Sequence, residues 1–395
     1  MKLSKRPFLV AALLVFAGAV AAAEIDVMQQ NQYLGTDLTP VITAPPELLN
    51  ERVVQALENV AASLPAERLE RLAGQIAKRQ PHAVVLNEAF AYSCVDFYPA
   101  TPPTEGCGNQ RIKGAFVDFL ASTEANLGGS YVVQAEVRNF AIEGLPFEID
   151  GYLALLSVVD RDAILVRSDV APMAQVVPLA LGCPGRESLE GCNYLAVPTI
   201  VTALGPVTIQ RGYLAVDMLV DDSIFRVFGT HLEVRQLVPG PAGEPTRILQ
   251  RLQAAELAQT ALYFPAAPGT RVLVVGDINS APTDGVDMLA TPVGLLPPPY
   301  AIFAGAGFTD AWTLRPGVAP GKGAPLVGHS CCQDEDLANR KSELYERIDI
   351  IFSLDLPEKA SDARLLGESI ADKTWPPGLG VWPSDHASVA VTLEY

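Results

Sequence analysis

The chain has 395 residues, 49% of them hydrophobic, and carries 28 basic against 45 acidic residues for a formal net charge of −17. That apolar fraction is ample for a sizeable core. The acidic balance argues against non-specific gripping of a phosphate backbone, which rests on basic patches and released counterions; binding nucleic acid would require a local basic groove.

The chain opens with Lys2, Lys5 and Arg6, then an almost wholly apolar run from Phe8 to Val20, then Ala21, Ala22 and Ala23. A charged start, a short apolar stretch and a small-residue exit form a secretory signal. A membrane-spanning helix needs about 20 apolar residues. Residues 1–23 are therefore expected to be a signal peptide cut after Ala23, and 24–395 one catalytic domain. Losing three cations takes the net charge from −17 to −20, and the product is expected in the periplasm or outside the cell.

Six cysteines in an exported chain suggest disulfides. Cys94 and Cys107 flank one turn-rich loop, and Cys183 and Cys192 flank another. Cys331 and Cys332 are adjacent, so the third pairing would be vicinal. The sequence suggests this scheme without proving it.

Short apolar strands alternate with helical stretches. Ile25 to Tyr33 reads as a strand. From Glu47 to Arg79 apolar residues recur at helical spacing, and Pro65 divides the stretch into two helices. Ala83 to Leu86 is a short buried strand. Gly151 to Val159, Ala163 to Val166, Gly212 to Leu219 and Phe225 to Phe228 read as further strands. Thr246 to Leu262 is a helix started by Pro245 and Thr246. Val272 to Val275, Ile348 to Phe352 and Ser388 to Leu393 complete the strands. Ser93–Asn109, Gly182–Pro198, Val238–Glu244 and Pro292–Phe303 read as loops, the last more as packed surface than as a membrane contact. With no repeat and no linker, the pattern indicates one α/β domain.

Polar residues gather where these strands end, and strand ends are where loops carry function. Asn31 follows the first strand and Glu88 follows Val84-Val85-Leu86. Thr230-His231-Leu232 and Gly276-Asp277-Ile278-Asn279 follow two more. Arg347-Ile348-Asp349 opens a strand and Ser384-Asp385-His386 precedes the last. Each alone reads most simply as a turn or a satisfied buried group. The ordered series, however, resembles the endonuclease/exonuclease/phosphatase superfamily, which includes DNase I-like nucleases, secreted sphingomyelinases and inositol polyphosphate phosphatases. The resemblance runs from Asn31 to His386. It implies a four-layer α/β/β/α sandwich with two central mixed sheets. In two places the chain departs from the family pattern: Asn87 stands where a glutamine is usual, and Gly229 where an asparagine often precedes Thr-His-Leu. As flanking positions these are expected to alter substrate contacts rather than the hydrolytic core.

Phosphoester hydrolysis needs an activated water, stabilised phosphoryl oxygens and an assisted leaving group. A hard cation such as Mg²⁺, or Mn²⁺ or Ca²⁺ in its place, takes oxygen ligands. Glu88 fits as the main metal carboxylate, with Asn31 beside it and Asp385 supporting the metal or its waters. By resemblance, Asp349 orients His386. His386 would act as general base or charged clamp, and Asp277 is its rival for the proton. Asn279 would donate to a phosphate oxygen, and His231 would bind phosphate or protonate the leaving group. Arg211 is ambiguous between strand capping and phosphate contact. His82 and His329 read as structural and loop residues.

Three readings follow. The first is a secreted phosphodiesterase acting on a lipid head group or small phosphodiester. The second is a secreted nuclease, disfavoured by the acidic charge. The third is a binding protein that keeps the fold without catalysis. A zinc hydrolase lacks its paired-histidine spacing, and no obligate protein partner is evident.

Overall fold

Strand β1 (Glu24–Asn31) leads into helices α1 (Leu49–Ala62) and α2 (Pro65–Arg79), then strand β2 (Ala83–Asn87). Strand β3 (Ala91–Asp96), helix α3 (Phe119–Leu127) and the long hairpin of β4 (Tyr131–Ile149) and β5 (Tyr152–Arg167) follow. The second half supplies β6 (Gly212–Val220), β7 (Ser223–His231), helix α4 (Glu244–Tyr263) and β8 (Arg271–Asp277). Helix α5 (Pro299–Gly305), β9 (Asp349–Ser353), β10 (Lys359–Leu366) and β11 (Ser388–Glu394) complete the main elements. This computed structural model describes residues 23–97, 101–179, 183, 187–188, 191–203, 205–235, 244–316, 328–376 and 379–395. Nearly all of the expected leader and the expected loop at 238–244 lie outside them.

The first sheet runs β10-β11-β1-β2-β5. β3 follows β2 end to end along one side of β5, and β4 pairs along the other. The second sheet is centred on β9-β8-β7-β6. β1 with β2 and β7 with β8 are parallel pairs, while β8 with β9 and β1 with β11 are antiparallel.

Alternation along the strands decides how the layers stack. In β2, Ala83 and Val85 point between the sheets, where they meet Leu214, Val216, Val227 and Val275. Val84 and Leu86 point the other way, onto Ala73 and Ile76 of α2 and Leu120 and Leu127 of α3. In β7, Phe225 and Val227 face the first sheet, whereas Phe228 packs on Ala254, Leu257 and Ala258 of α4. Each such side chain contributes about 1.5–3 kcal/mol when removed from water. Strands apolar on both faces cannot be left open to solvent, so each sheet carries a helical layer. The result is the expected four-layer α/β/β/α sandwich of two mixed sheets.

Several local expectations are corrected. Gly151–Val159 and Ala163–Val166 are halves of the single strand β5, and β4 and β10 had no counterpart in the sequence reading. Ser93–Asn109 begins inside β3. Within Gly182–Pro198, Glu187–Ser188 and Gly191–Asn193 form a small hairpin. Pro292–Phe303 contributes to a hairpin of Leu289–Thr291 with Gly294–Leu296 and to α5. The cysteines pair as suggested: Cys94 with Cys107, Cys183 with Cys192, and Cys331 with Cys332. Among the described residues no helix is long and apolar enough to cross a membrane.

Candidate active site

Strand direction brings the polar positions to one rim. Parallel β1 and β2 end together, with Asn31 in register with Asn87. Parallel β7 and β8 also end together, with His231 in register with Asp277. Antiparallel β9 begins where β8 ends, which puts Asp349 opposite Asp277. β11 is antiparallel to β1, so the segment entering it delivers Asp385 and His386 to the same edge.

His386 Nδ1 lies 2.8 Å from Asp349 Oδ2, and its Nε2 lies 3.8 Å from Asp277 Oδ2 and 4.0 Å from Asp385 Oδ1. Burial opposes charge on this ring, but Asp349, Asp385 and Asp277 together outweigh it and push His386 well above the ordinary histidine value. The same carboxylates favour its protonated form. Asp277 is 2% exposed, and burial with Asp349 nearby pushes its carboxyl up to about 8.

His231 behaves oppositely. Burial, then Arg211 and then His386, hold it well below the ordinary value, so the ring is neutral. Arg211 Nη1 stands 3.0 Å from His231 Nδ1. A guanidinium only donates, so Nδ1 accepts and the ring proton is assigned to Nε2. That nitrogen lies 3.5 Å from Asp277 Oδ2. Asn279 Nδ2, which donates to the Leu232 carbonyl, sits 3.1 Å from it, a contact between two donors in this tautomer and not a hydrogen bond. Asn279 has φ +50°, a left-handed conformation asparagine tolerates better than most residues, and its N–H donates to Asp277 Oδ1 at 2.9 Å.

On the other flank Asn31 Nδ2 donates to Glu88 Oε1 at 3.1 Å and to Asp277 Oδ2 at 3.3 Å. Asn31 Oδ1 accepts from Tyr33 N, and Glu88 Oε2 accepts from Leu34 N. Glu88 itself has φ +54°, which turns its carboxylate back toward β1. Asp385 is raised to about 6, by burial first, with the nearby Glu88 acting in the same direction and His386 against it. Asp277, Asp349 and His386 each present one potential ligand atom within 4.8 Å of the others. Glu88, Asp277, Asp349 and Asp385 gather hard oxygen donors at this rim, and Asp277 and Asp385 are raised by burial first and by neighbouring carboxylates. This donor chemistry fits a divalent cation of the Mg²⁺ type. As placed here, Asn31 offers its amide nitrogen toward Glu88, and so orients that carboxylate.

The two departures from the family pattern are packing features, which corrects the expectation of altered substrate contacts. Asn87 is fully buried between the sheets. Its Oδ1 accepts from Gln29 Nε2 and from Asp277 N, and its Nδ2 donates to Asp162 Oδ1 and the Thr230 carbonyl. A Cβ on Gly229 would lie about 3 Å from Leu214 and Val85, so a larger side chain there would enter the core.

The sequence reading missed Asp160 and Asp162. Both are buried in the middle of β5, where Asp160-Arg161-Asp162 had been taken for a break between strands. Asp160 Oδ2 lies 3.5 Å from Arg211 Nη1, and Asn139 of β4 donates to Asp162 Oδ2 at 2.8 Å. Glu233, fully buried, is 3.9 Å from Arg211 Nη2. Arg211 is thus held from beneath by carboxylates. The signal available in sequence was a pair of acids at period 2 in an otherwise apolar strand. His82 accepts from Asp26 N, and His329 is an exposed loop residue; neither reaches the site.

The sequence matches no protein-family model and no curated protein. Among solved structures the chain is similar to an endonuclease/exonuclease/phosphatase family protein from Bacteroides thetaiotaomicron, at 14% identity over 95% of this chain and 98% of that one, with a TM-score of 0.47. It is also similar to such a protein from Leptotrichia buccalis, at 11% identity over 94% and 100%, TM-score 0.46. A humanized D. rerio TDP2 aligns at 14% identity over 94% and 99%, TM-score 0.46. The likeness is distant, and the chemistry rests on the site itself.

Proposed function

We propose that this chain is a secreted, divalent-metal-dependent phosphoester hydrolase of the endonuclease/exonuclease/phosphatase type, acting as a phosphodiesterase on a lipid head group or small phosphodiester. One observation carries the reading. Asp277 Oδ2 is surrounded by three N–H-bearing atoms, Asn31 Nδ2, His231 Nε2 and His386 Nε2, at 3.3, 3.5 and 3.8 Å, beside the Glu88 carboxylate. A proton acceptor, several donors and a carboxylate cluster in one rim are what hydrolysis of a phosphate ester requires.

In this reading water attacks phosphorus, the bond to the leaving oxygen breaks, and that oxygen leaves as an alcohol after gaining a proton. Asp277, with its carboxyl pushed up to about 8, accepts the proton of the attacking water in its ionised form. His386, held as a cation by Asp349, binds a phosphoryl oxygen through Nε2. His231 Nε2–H and Asn279 Nδ2 donate hydrogen bonds to the phosphate, and the leaving oxygen takes its proton from water, since neutral His231 has no acidic proton to give. Arg211 fixes the His231 tautomer. Glu88, oriented by Asn31, and Asp385 would hold the cation, which when bound supplies Lewis-acid stabilisation of the phosphoryl charge.

The test is hydrolysis of a chromogenic phosphodiester by the purified protein with Mg²⁺ and with excess chelator. Turnover that chelator abolishes and Mg²⁺ restores is the expected result. A folded protein without metal-dependent turnover on a panel of lipid, nucleotide and simple phosphoesters would overturn the reading.

A further inference from the structure

An apolar cleft of about 410 Å³ opens directly from the candidate site. Glu88, Asp160 and Arg211, which belong to or support the candidate site, line one part of it. Thr36, Asp37, Thr39 and Thr202 also line it, and the rest of its wall is apolar. Val53 and Leu57 of α1 form one side, Phe90 and Val158 of the first sheet the floor, and Val207 and Ile209 the other side. Val207 lies on the small hairpin of Thr199–Thr202 with Gly205–Thr208, and Ile209 directly follows it. That hairpin stands off both main sheets. Thr208, between the two lining residues, is exposed, and Val201 on the partner strand is 83% exposed.

We infer that this cleft receives the apolar chain of the substrate, so that the preferred substrate is a phosphoester bearing a hydrocarbon tail. The inference deepens the hydrolase reading and rests on it for the position of the phosphate. Its volume lies within the range of pockets that engulf small ligands, which are mostly apolar with a few polar groups fixing orientation. Here Glu88, Asp160 and Arg211 are polar groups that the cleft shares with the candidate site. A single-stranded nucleic acid would want cations along its path and aromatic faces for successive bases. Among the described residues lining the cleft, Arg211 is the one cation, and it is already committed to His231 and Asp160.

The experiment is a series of 4-nitrophenyl alkyl phosphates, from methyl to decyl, assayed with Mg²⁺ below micelle-forming concentration. For the wild type, kcat/KM rises about fourfold per added methylene until the cleft is full. Val207→Trp, which fills the cleft, flattens that dependence, while Val201→Trp on the outer face of the same hairpin retains it. Equal turnover of all chain lengths by the wild type overturns the tail cleft and leaves the hydrolase reading standing. If no member is turned over, the hydrolase reading fails and calorimetric titration with alkyl phosphates judges the cleft alone. Affinity that rises with chain length and is lost in Val207→Trp sustains it, and affinity without length dependence overturns it.

Discussion

Arg211 Nη1 meets His231 Nδ1 at 3.0 Å from the side away from the site, so a residue outside the reacting groups decides which histidine nitrogen carries a proton. The two site histidines then hold opposite charge states. Long-range ¹H–¹⁵N NMR of the metal-free protein at pH 7 is expected to show His231 neutral with its proton on Nε2, and His386 protonated on both nitrogens. The linkage has opposite signs. His231 is held below its unfolded value of about 6.5, so its contribution to stability is present above that pH and lost as pH falls. His386 is raised, so its contribution is present below about pH 6.5 and lost as pH rises through its folded value. Arg211→Gln should free Nδ1 and give mixed tautomers; a wild-type His231 titrating near 6.5 would refute the assignment.

Asp349 is fully buried, and its Oδ2 accepts from His386 while its Oδ1 has no partner among the described residues. Asp349→Asn keeps shape but removes the charge that sustains the imidazolium. The expected effect is a loss of roughly 10²- to 10⁴-fold in kcat with KM little changed, together with a downward shift of the His386 titration. His386→Ala and Asp277→Ala should each remove nearly all activity with unfolding midpoints close to wild type. Near-wild-type rates in either variant would sink the proposed roles.

How much of this was legible beforehand depended on whether the signal was local. Asp277 and Asn279, or Asp385 and His386, sit within one turn of chain and are flanked by apolar strands, so their positions at strand ends could be read directly. β4 could not be read. Register shifts between Val133 and Ala135, between Arg138 and Phe140, and between Ile142 and Leu145 destroy its period-2 pattern. Asp160 and Asp162 were misread because two acids in a buried strand make sense only once Arg211 and Asn139 are brought beneath the site from other strands. The apolar cleft is equally non-local, since its walls come from α1, the first sheet and a distant hairpin.

Asn87 joins β2 to both β7 and β8 through hydrogen bonds to the Thr230 carbonyl and the Asp277 N–H. Asn87→Ala would take this partner from both buried backbone groups, at about 1–3 kcal/mol for each left unpaired. The expected outcome is a loss of upwards of about 3 kcal/mol in denaturant unfolding. Asn87→Gln, which restores the residue usual in the resembling family, adds a methylene to a filled space and should cost about 1–3 kcal/mol. Wild-type stability in Asn87→Ala would show that the sheets do not depend on this bridge.

Gly276 precedes Asp277 and adopts φ +157°, with β7 pressed against its α-carbon. A Cβ there would lie 1.9 Å from the Thr230 carbonyl oxygen, a contact with backbone that no rotamer relieves. Either β8 moves away from β7 or the Asp277 carboxylate is displaced from His231 and Asn31. Gly276→Ala should therefore cost stability and activity together: at least roughly 1–3 kcal/mol in unfolding, and a fall in kcat larger than the change in KM. The two losses separate this site from an ordinary surface turn, where alanine would be neutral or stabilising. Measuring unfolding and kinetics on the same preparation decides it. A variant as stable and as active as wild type would mean that β7 and β8 do not press together at Thr230 as described.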